Sequence, residues 1–329
     1  MKLRPPAPLL ALVEAREIKS APVGPAVTWT IIDESAENQR IDNFLLRHLK
    51  GVPKSHIYRI LRSGEVRVNG GRIGPDYHLT LADKVRIPPV RVAEQVARQI
   101  RIPHGQELAK RILFEDDALV AIDKPAGLAV HGGSGVSLGA IEQLRAEFPQ
   151  FRFLELVHRL DRETSGVLLL AKKRSALVAL HAILRDGGVD KRYLALVAGE
   201  WKNQRQSVKL ALTKYLTGEG ERRVTVDEEG QEAHTIFSLV KVVKNFSLLE
   251  AELKTGRTHQ IRVHLAHLGF PIIGDDKYGD FALNKSLAKA GMRRMYLHAH
   301  KVAFPHPLTG DFLEISAPLP PEWRNSSMV

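Results

Sequence analysis

HRLDRETSGVLLLAK, residues 158–172, sets one carboxylate among cations immediately before an apolar run. GVLLLAK reads as a buried strand, because a short unbroken apolar stretch bounded by turn residues suits a strand covered on both faces. Asp161 stands beside His158, Arg159 and Arg162. Neighbouring cations favour the charged form of a carboxylate. That suits a nucleophile or an electrostatic stabiliser better than a general acid. A structural ion pair at a strand entrance fits the same spacing.

Working outward, ILFEDDALVAIDKPAG (112–127) reads as two strands around an acidic turn, with Pro125–Gly127 as a second turn. SLGAIEQLRAEF and KRSALVALHAILRDGG read as helices, the second ending at glycine. KRYLALVAGEW, RRVTVD, AHTIFSLVKVV, FSLLEAELKT, MYLHAHKVAFPHP and LEISAPLP read as strands. IRVHLAHLG reads as a helix, although its branched residues also suit a strand. Helices mixed with mostly adjacent strands predict an α+β domain around an antiparallel or mixed sheet.

Two further segments carry chemistry. In LKTGRTHQIRVHLAHLGFPIIGDDKYGD (253–280), Thr255–Thr258 form a tight polar turn, and Arg257 is placed to grip a carboxylate bidentately. His259 and His264 are five apart, the wrong spacing for a metal pair on one helix face. His298 and His300 alternate on a strand without a third ligand, so no metal is expected. In KRYLALVAGE (191–200), Tyr193 sits in an apolar strand, either as a core residue with a satisfied hydroxyl or as a functional ring.

Upstream, RIDNFLLRHLKGVPKSHIYRILRSGE (40–65) places Ile41, Phe44, Leu45 and Leu49, then Ile57, Ile60 and Leu61, at helical spacing. Gly51–Pro53 separate two helices, Ser55 is the expected cap of the second, and Gly64 ends it. VRVNG and DKVRIPP follow as short strands. Residues 40–91 hold eleven Lys/Arg against four acids, so this sixth of the chain carries seven of the net +11 charges. A basic cluster of that kind marks a polyanion partner, or else a solvated face. Residues 91–111 read as a linker and 1–28 as a disordered extension.

The 329 residues contain no cysteine, which excludes thiol catalysis, cysteine-ligated metals and disulfides. GxxxxGK[ST], GxGxxG and GxSxG are absent, so phosphate-loop, dinucleotide and serine-hydrolase chemistry have no support. No apolar run approaches the ~20 residues that span a bilayer. The expectation is a cytoplasmic protein without a membrane partner, and a monomer, because no long apolar seam is evident.

DKPAGLAVHGG, HRLDRETSG, KRYLALVAG and TGRTHQIRVHLAHLGFPIIGDDKYG occur in an order that resembles the RluA-type RNA pseudouridine synthases over roughly residues 40–320. RIDNFL, VPKSHIYRILRSGEVRVNG and DKVRIP resemble the S4 RNA-binding fold. The resemblance implies an S4-like module over 38–90 and a pseudouridine synthase domain over 112–322 that isomerises uridine in 23S ribosomal RNA without a cofactor. It implies Asp161 as the essential carboxylate, Tyr193 as the residue packed on the target base and a candidate proton acceptor, and Arg257 as the partner of Asp161. Arg159 would hold the RNA open and Ile261 would line the pocket. Arg40, Lys54, Arg59, Arg62, Arg67 and Arg72 would contact phosphates.

Overall fold

The computed structural model describes residues 26–49, 51–90, 107–132 and 138–325. Most of the expected extension (1–28) and of the expected linker (91–111) lies outside the described residues. The chain forms two compact units, Met1–Val96 and Ala97–Val329.

The first unit contains β1 (Thr28–Ile31), α1 (Ile41–His48), α2 (Lys54–Arg62), β2 (Arg67–Val68) and β3 (Lys84–Ile87). Its three strands form an antiparallel sheet in the order β1-β3-β2. The two helical stripes read from the sequence close on the sheet: Ile41, Phe44, Leu45, Ile57, Ile60 and Leu61 share one core with Val66, Val68, Val85 and Ile87. Ser55 is not the cap. The helix begins at Lys54 behind an extended Pro53, without a side-chain cap, so Ser55 lies inside its first turn. Proline fixes its own φ near helical values and turns the chain into the helix without one. Asn69 and Gly70 both have positive φ (50° and 82°), the conformation of a tight hairpin turn. β1 alternates polar and apolar residues (TWTI), but Trp29 and Ile31 are exposed; it joins the sheet through backbone pairing with β3.

The second unit begins with a 3-10 turn, Leu108–Arg111, whose Leu108 and Ala109 N–H groups donate to the Glu147 carboxylate. It continues through β4 (Ile112–Glu115), β5 (Leu119–Lys124), α3 (Ala140–Glu147), β6 (Glu155–Leu156), β7 (Ser165–Ala171), α4 (Arg174–Arg185), β8 (Asp190–Ala198), β9 (Arg205–Lys209), β10 (Leu212–Leu216) and β11 (Arg222–Val226). The remainder is β12 (His234–Val243), β13 (Phe246–Leu253), α5 (Gln260–His267), α6 (Phe281–Lys289), β14 (Leu297–Pro305), β15 (Phe312–Ser316) and α7 (Pro321–Asn325).

Its main sheet runs β4-β5-β7-β14-β8-β13-β12-β9, with β6 added to β7 and β15 to β14. The α+β class expected from the sequence is what the chain adopts. Every residue of β7 is buried because helices cover both faces. Val167 and Leu169 meet Ala176 and Leu180 of α4, while Leu168 and Leu170 meet Ile141 and Leu144 of α3. β7 and β14 are the sheet's parallel neighbours, matched at His298–Ser165 and Ala299–Gly166. Gly166 has φ +107°, and a Cβ there would overlap the Ala299 carbonyl oxygen, so this seam requires glycine. β10 and β11 form a separate two-stranded ribbon.

Candidate active site

Asp161 sits in the loop just before β7, with about a quarter of its side chain exposed. The loop is anchored from beneath. Lys124, at the end of β5 and fully buried, donates to the carbonyls of Pro125, Leu128 and Arg162 at 2.8–3.0 Å. An ammonium has three N–H groups, and each finds an acceptor. Gly127 and Arg162 exchange two more bonds, the Gly127 N–H donating to the Arg162 carbonyl and Arg162 Nε to the Gly127 carbonyl. The DKPAG and HRLDR segments are thereby one structure. Burial pushes the Lys124 pKa down to about 7, opposed by Glu163 and Asp161.

The guanidinium facing Asp161 belongs to Arg262. Its Nη1 donates to Asp161 Oδ2 at 3.0 Å. Its Nε and Nη2 donate to Asp275 at 2.7 Å each, a bidentate pair, and Nη2 also reaches Asp276 at 3.3 Å. Arg262 and Asp275 are both buried. Asp275 in turn accepts from the backbone N–H groups of Lys277 and Tyr278. Burial works against the charge of Arg262, but the bonds and charges of Asp275 and then Asp161 outweigh it, so its pKa is raised. Burial likewise disfavours charge on Asp275, and Arg262 lowers its pKa nonetheless.

Arg257 is therefore not the partner of Asp161. Its side chain is exposed and its Nε donates to the Glu232 carbonyl at 3.0 Å. The reason lies in the turn. Gln260 Oε1 accepts from the Arg257 N–H and the Thr255 hydroxyl, while Gln260 Nε2 donates to the His234 carbonyl and Thr235 Oγ1. That clasp ties the Thr255–Thr258 turn to β12, leaves the Arg257 side chain solvent-exposed, and lets α5 carry Arg262 to Asp161. The sequence did hold a signal for Arg262. It is a charge flanked by Ile261 and Val263 in an apolar helix, and a buried charge needs a partner.

His259 completes the surround. It occupies the left-handed region (φ 54°, ψ 19°), sparsely used by non-glycine residues, at the entry to α5. One ring nitrogen, Nε2, lies 3.8 Å from Asp161 Oδ1, and the other, Nδ1, hydrogen bonds with the Tyr278 hydroxyl at 2.8 Å. Tyr278 Oη accepts from the Val224 N–H of β11 at 2.9 Å, and its ring lies 5.2 Å from the Arg262 guanidinium. Burial lowers the His259 pKa, and Asp161 opposes it.

Tyr193 on β8 packs between two core clusters, one holding Ile261 and Leu265, the other Leu160 and Ala299. Burial, then the charge of Asp161, raises its pKa and favours the neutral phenol. Behind it lies an apolar cavity of about 20 Å³, lined by Val157, Leu169 and Ala299 among others. That holds about one water, so it does not accommodate a base. Ile261 is buried in the core beneath α5. Arg159 is exposed two residues before Asp161, without an ion pair among the described residues.

In the first unit, Lys54, Arg59, Arg62, Arg67 and Arg72 are exposed, and none pairs with a carboxylate among the described residues. Arg40 differs: its guanidinium holds buried Asp42 at 2.9 and 3.2 Å, and Asp42 also accepts from the Tyr58 hydroxyl. Arg40 braces the fold. No group of three or more metal-ligating side chains occurs among the described residues, and no helix there is long and apolar enough to cross a membrane.

Comparison with known proteins places these features in company. The family model for RNA pseudouridylate synthase matches residues 118–267, and that for the S4 domain matches 39–85. The chain is similar to proteins named ribosomal large subunit pseudouridine synthase C. The one from Pasteurella multocida is 52% identical over 92% of this chain and 93% of its own length. That of Escherichia coli K12 is 52% identical over 90% and 94%. Among solved structures, human RNA pseudouridylate synthase domain containing 4 aligns with a TM-score of 0.54 at 27% identity, covering 65% of this chain and 90% of that one. Human RNA pseudouridylate synthase domain containing 1 gives 0.53 at 26%, covering 63% and 82%.

Proposed function

Because the chain belongs to the RNA pseudouridylate synthase family, we propose that it isomerises uridines of large-subunit (23S) ribosomal RNA to pseudouridine, with Asp161 as the reacting carboxylate. The single observation that carries the site assignment is the Arg262 guanidinium, bound to Asp275 on one side and to Asp161 on the other. It aims a carboxylate at a partly open surface while balancing its charge. The substrate assignment is supported by the names of relatives that match this chain along nearly their whole length, and by the S4 module. The reading puts the work in the cytoplasm, where that RNA is, and takes the protein as a monomer.

The reaction breaks N1–C1′, turns the freed uracil, joins C5 to C1′, and moves the C5 proton to N1. Nothing is oxidised and no group is imported. The target must first leave its stack, at a cost of a few kcal/mol that is smallest in loops. Asp161 attacks C1′ or takes a sugar proton, and in either case it works from a preorganised, charge-balanced position. Tyr193 supplies an apolar wall with a polar tip that packs on the base, and its raised pKa favours the neutral phenol. Lys124 keeps the Asp161 loop in place. The exposed cations of the first unit bind phosphates elsewhere on the same RNA and offset the cost of flipping.

Asp161→Asn removes the anion and keeps the shape. Incubated with transcribed large-subunit ribosomal RNA, the wild type should form pseudouridine at discrete positions, and Asp161→Asn should lose about 10²- to 10⁴-fold or more in rate while still binding. Normal turnover by the variant would overturn the site. Turnover confined to transfer RNA would overturn the substrate.

A further inference from the structure

The polar turn that does not serve Asp161 borders a cavity. About 440 Å³ opens between the β10–β11 ribbon and Gly256–Thr258, lined by Thr213, Lys214, Gln231, Arg257, Thr258 and the acidic Glu229, among others. We propose that this cavity is a subsite for the sugar-phosphate next to the target uridine, with Arg257 and Lys214 gripping its phosphodiester. The proposal rests on the isomerase reading and extends it from the reacting base to its neighbour.

Four observations lead there. The Arg257 Nε is occupied by the Glu232 carbonyl, whereas its two terminal nitrogens have no partner among the described residues. The guanidinium is thus held at its base with its outer donors free, a geometry suited to phosphate oxygens. Around it stand the hydroxyls of Thr213 and Thr258, the amide of Gln231 and the ammonium of Lys214, so donors and cations outnumber the lone carboxylate of Glu229.

Position is the second. Arg257 lies two residues before His259, so their Cα atoms are at most about 7.6 Å apart, and the His259 ring is 3.8 Å from Asp161. The third is fixity. A two-stranded ribbon is marginal alone, but this one is pinned to the catalytic side. Leu212 and Val224 pack on Val263 of α5. Val224 donates to Tyr278, Arg223 to the Lys277 carbonyl, and Lys277 pairs with Glu221. The ribbon therefore keeps register with Asp161. The fourth is what it displays: Tyr215, Leu216 and Arg222 are exposed, and an exposed aromatic beside cations is a stacking platform for single-stranded bases. A cavity walled by the same ribbon that carries this platform fits a polynucleotide better than a free anion.

The test measures binding by full-length protein of an RNA hairpin spanning a uridine that the wild type converts. One linkage at a time is replaced by a neutral methylphosphonate on a 2′-O-methyl sugar, with the 2′-O-methyl phosphate as control. Wild type should lose about five- to tenfold in affinity at one linkage adjacent to the target, and little elsewhere. Arg257→Ala should bind the unmodified hairpin about five- to tenfold more weakly and lose most of its sensitivity to that linkage, and Lys214→Ala should show a smaller loss at the same place. Excess inorganic phosphate should compete poorly. If Arg257→Ala binds normally, loses affinity equally with every linkage, or remains as sensitive as the wild type to the adjacent one, the subsite is wrong. Strong competition by inorganic phosphate alone would also overturn it, as a free-anion site. Pseudouridine formation by the wild type on the same hairpin is scored separately, so a failed isomerase reading and a failed subsite give different results.

Discussion

The two units use the same residue types in opposite ways. In the first, Lys54, Arg59 and Arg62 of α2, Arg67 of β2 and Arg72 just past the following turn are exposed and unmatched by carboxylates among the described residues. In the second, Arg262 and Lys124 are buried, and their donors are taken up by carboxylates and carbonyls. An exposed cation is replaceable by another, because its energy comes from counterion release and long-range attraction. A buried one is not, because removing it strands the partners it was holding. Positive charge here serves two ends, adhesion to a polyanion and alignment of one anion, and burial tells them apart.

The contrast would break first at Arg262. Arg262→Ala leaves Asp275 buried without its cation, and should cost about 3–5 kcal/mol of stability along with most turnover; denaturant unfolding and single-turnover rates measure both. Arg262→Lys keeps the charge and loses the bidentate fork, so a stable but slow enzyme is expected. If Arg262→Ala were as stable as wild type, burial would not be the distinguishing variable. Neutralising Arg59, Arg62, Arg67 and Arg72 together should instead leave unfolding nearly unchanged and weaken RNA binding by at least about tenfold. It should also flatten the plot of log affinity against log salt, by about 0.7–0.9 for each phosphate no longer neutralised. An unchanged salt slope would mean that these cations are merely solvated.

The subtlest sharpening is pH. Lys124 titrates near 7 in the folded chain and near 10.4 when unfolded. Between those values the unfolded state binds more protons, so this residue makes stability rise with pH, by up to about 1.4 kcal/mol per unit. The contribution is flat below the window, where both states are protonated. The stability of wild type minus that of Lys124→Met, followed from pH 6.5 to 9.5, should rise with pH, because groups such as the burial-lowered Lys191 contribute to both proteins and cancel. A difference that falls or stays flat over that range would contradict the assignment.

What the sequence makes legible follows local pattern. The helix pair, β7, β8 and the catalytic loop announce themselves through spacing within a dozen residues. β1 and β10 do not, since each is short, exposes most of its side chains (Trp29 and Ile31 of β1 included) and is paired through its backbone to another strand. The partner of Asp161 is hidden for a related reason. Arg257 and Arg262 lie in the same motif, and the choice depends on Asp161, 101 residues away, and on a Gln260 clasp that turns one arginine outward. Asp275 is in plain view within GDDKYG, but its burial is a tertiary fact.

The seam between β7 and β14 has a consequence for inheritance. Asp161 lies just before β7 and Tyr193 on β8, and the two strands flank β14, whose Ala299 faces Tyr193 on one side and, on the other, residue 166, which has no side chain. One added methyl would prise the strands apart while sparing every reacting group. A descendant of this gene could therefore fall silent with its chemistry intact, and in degenerate copies a lost glycine is as telling an epitaph as a lost aspartate.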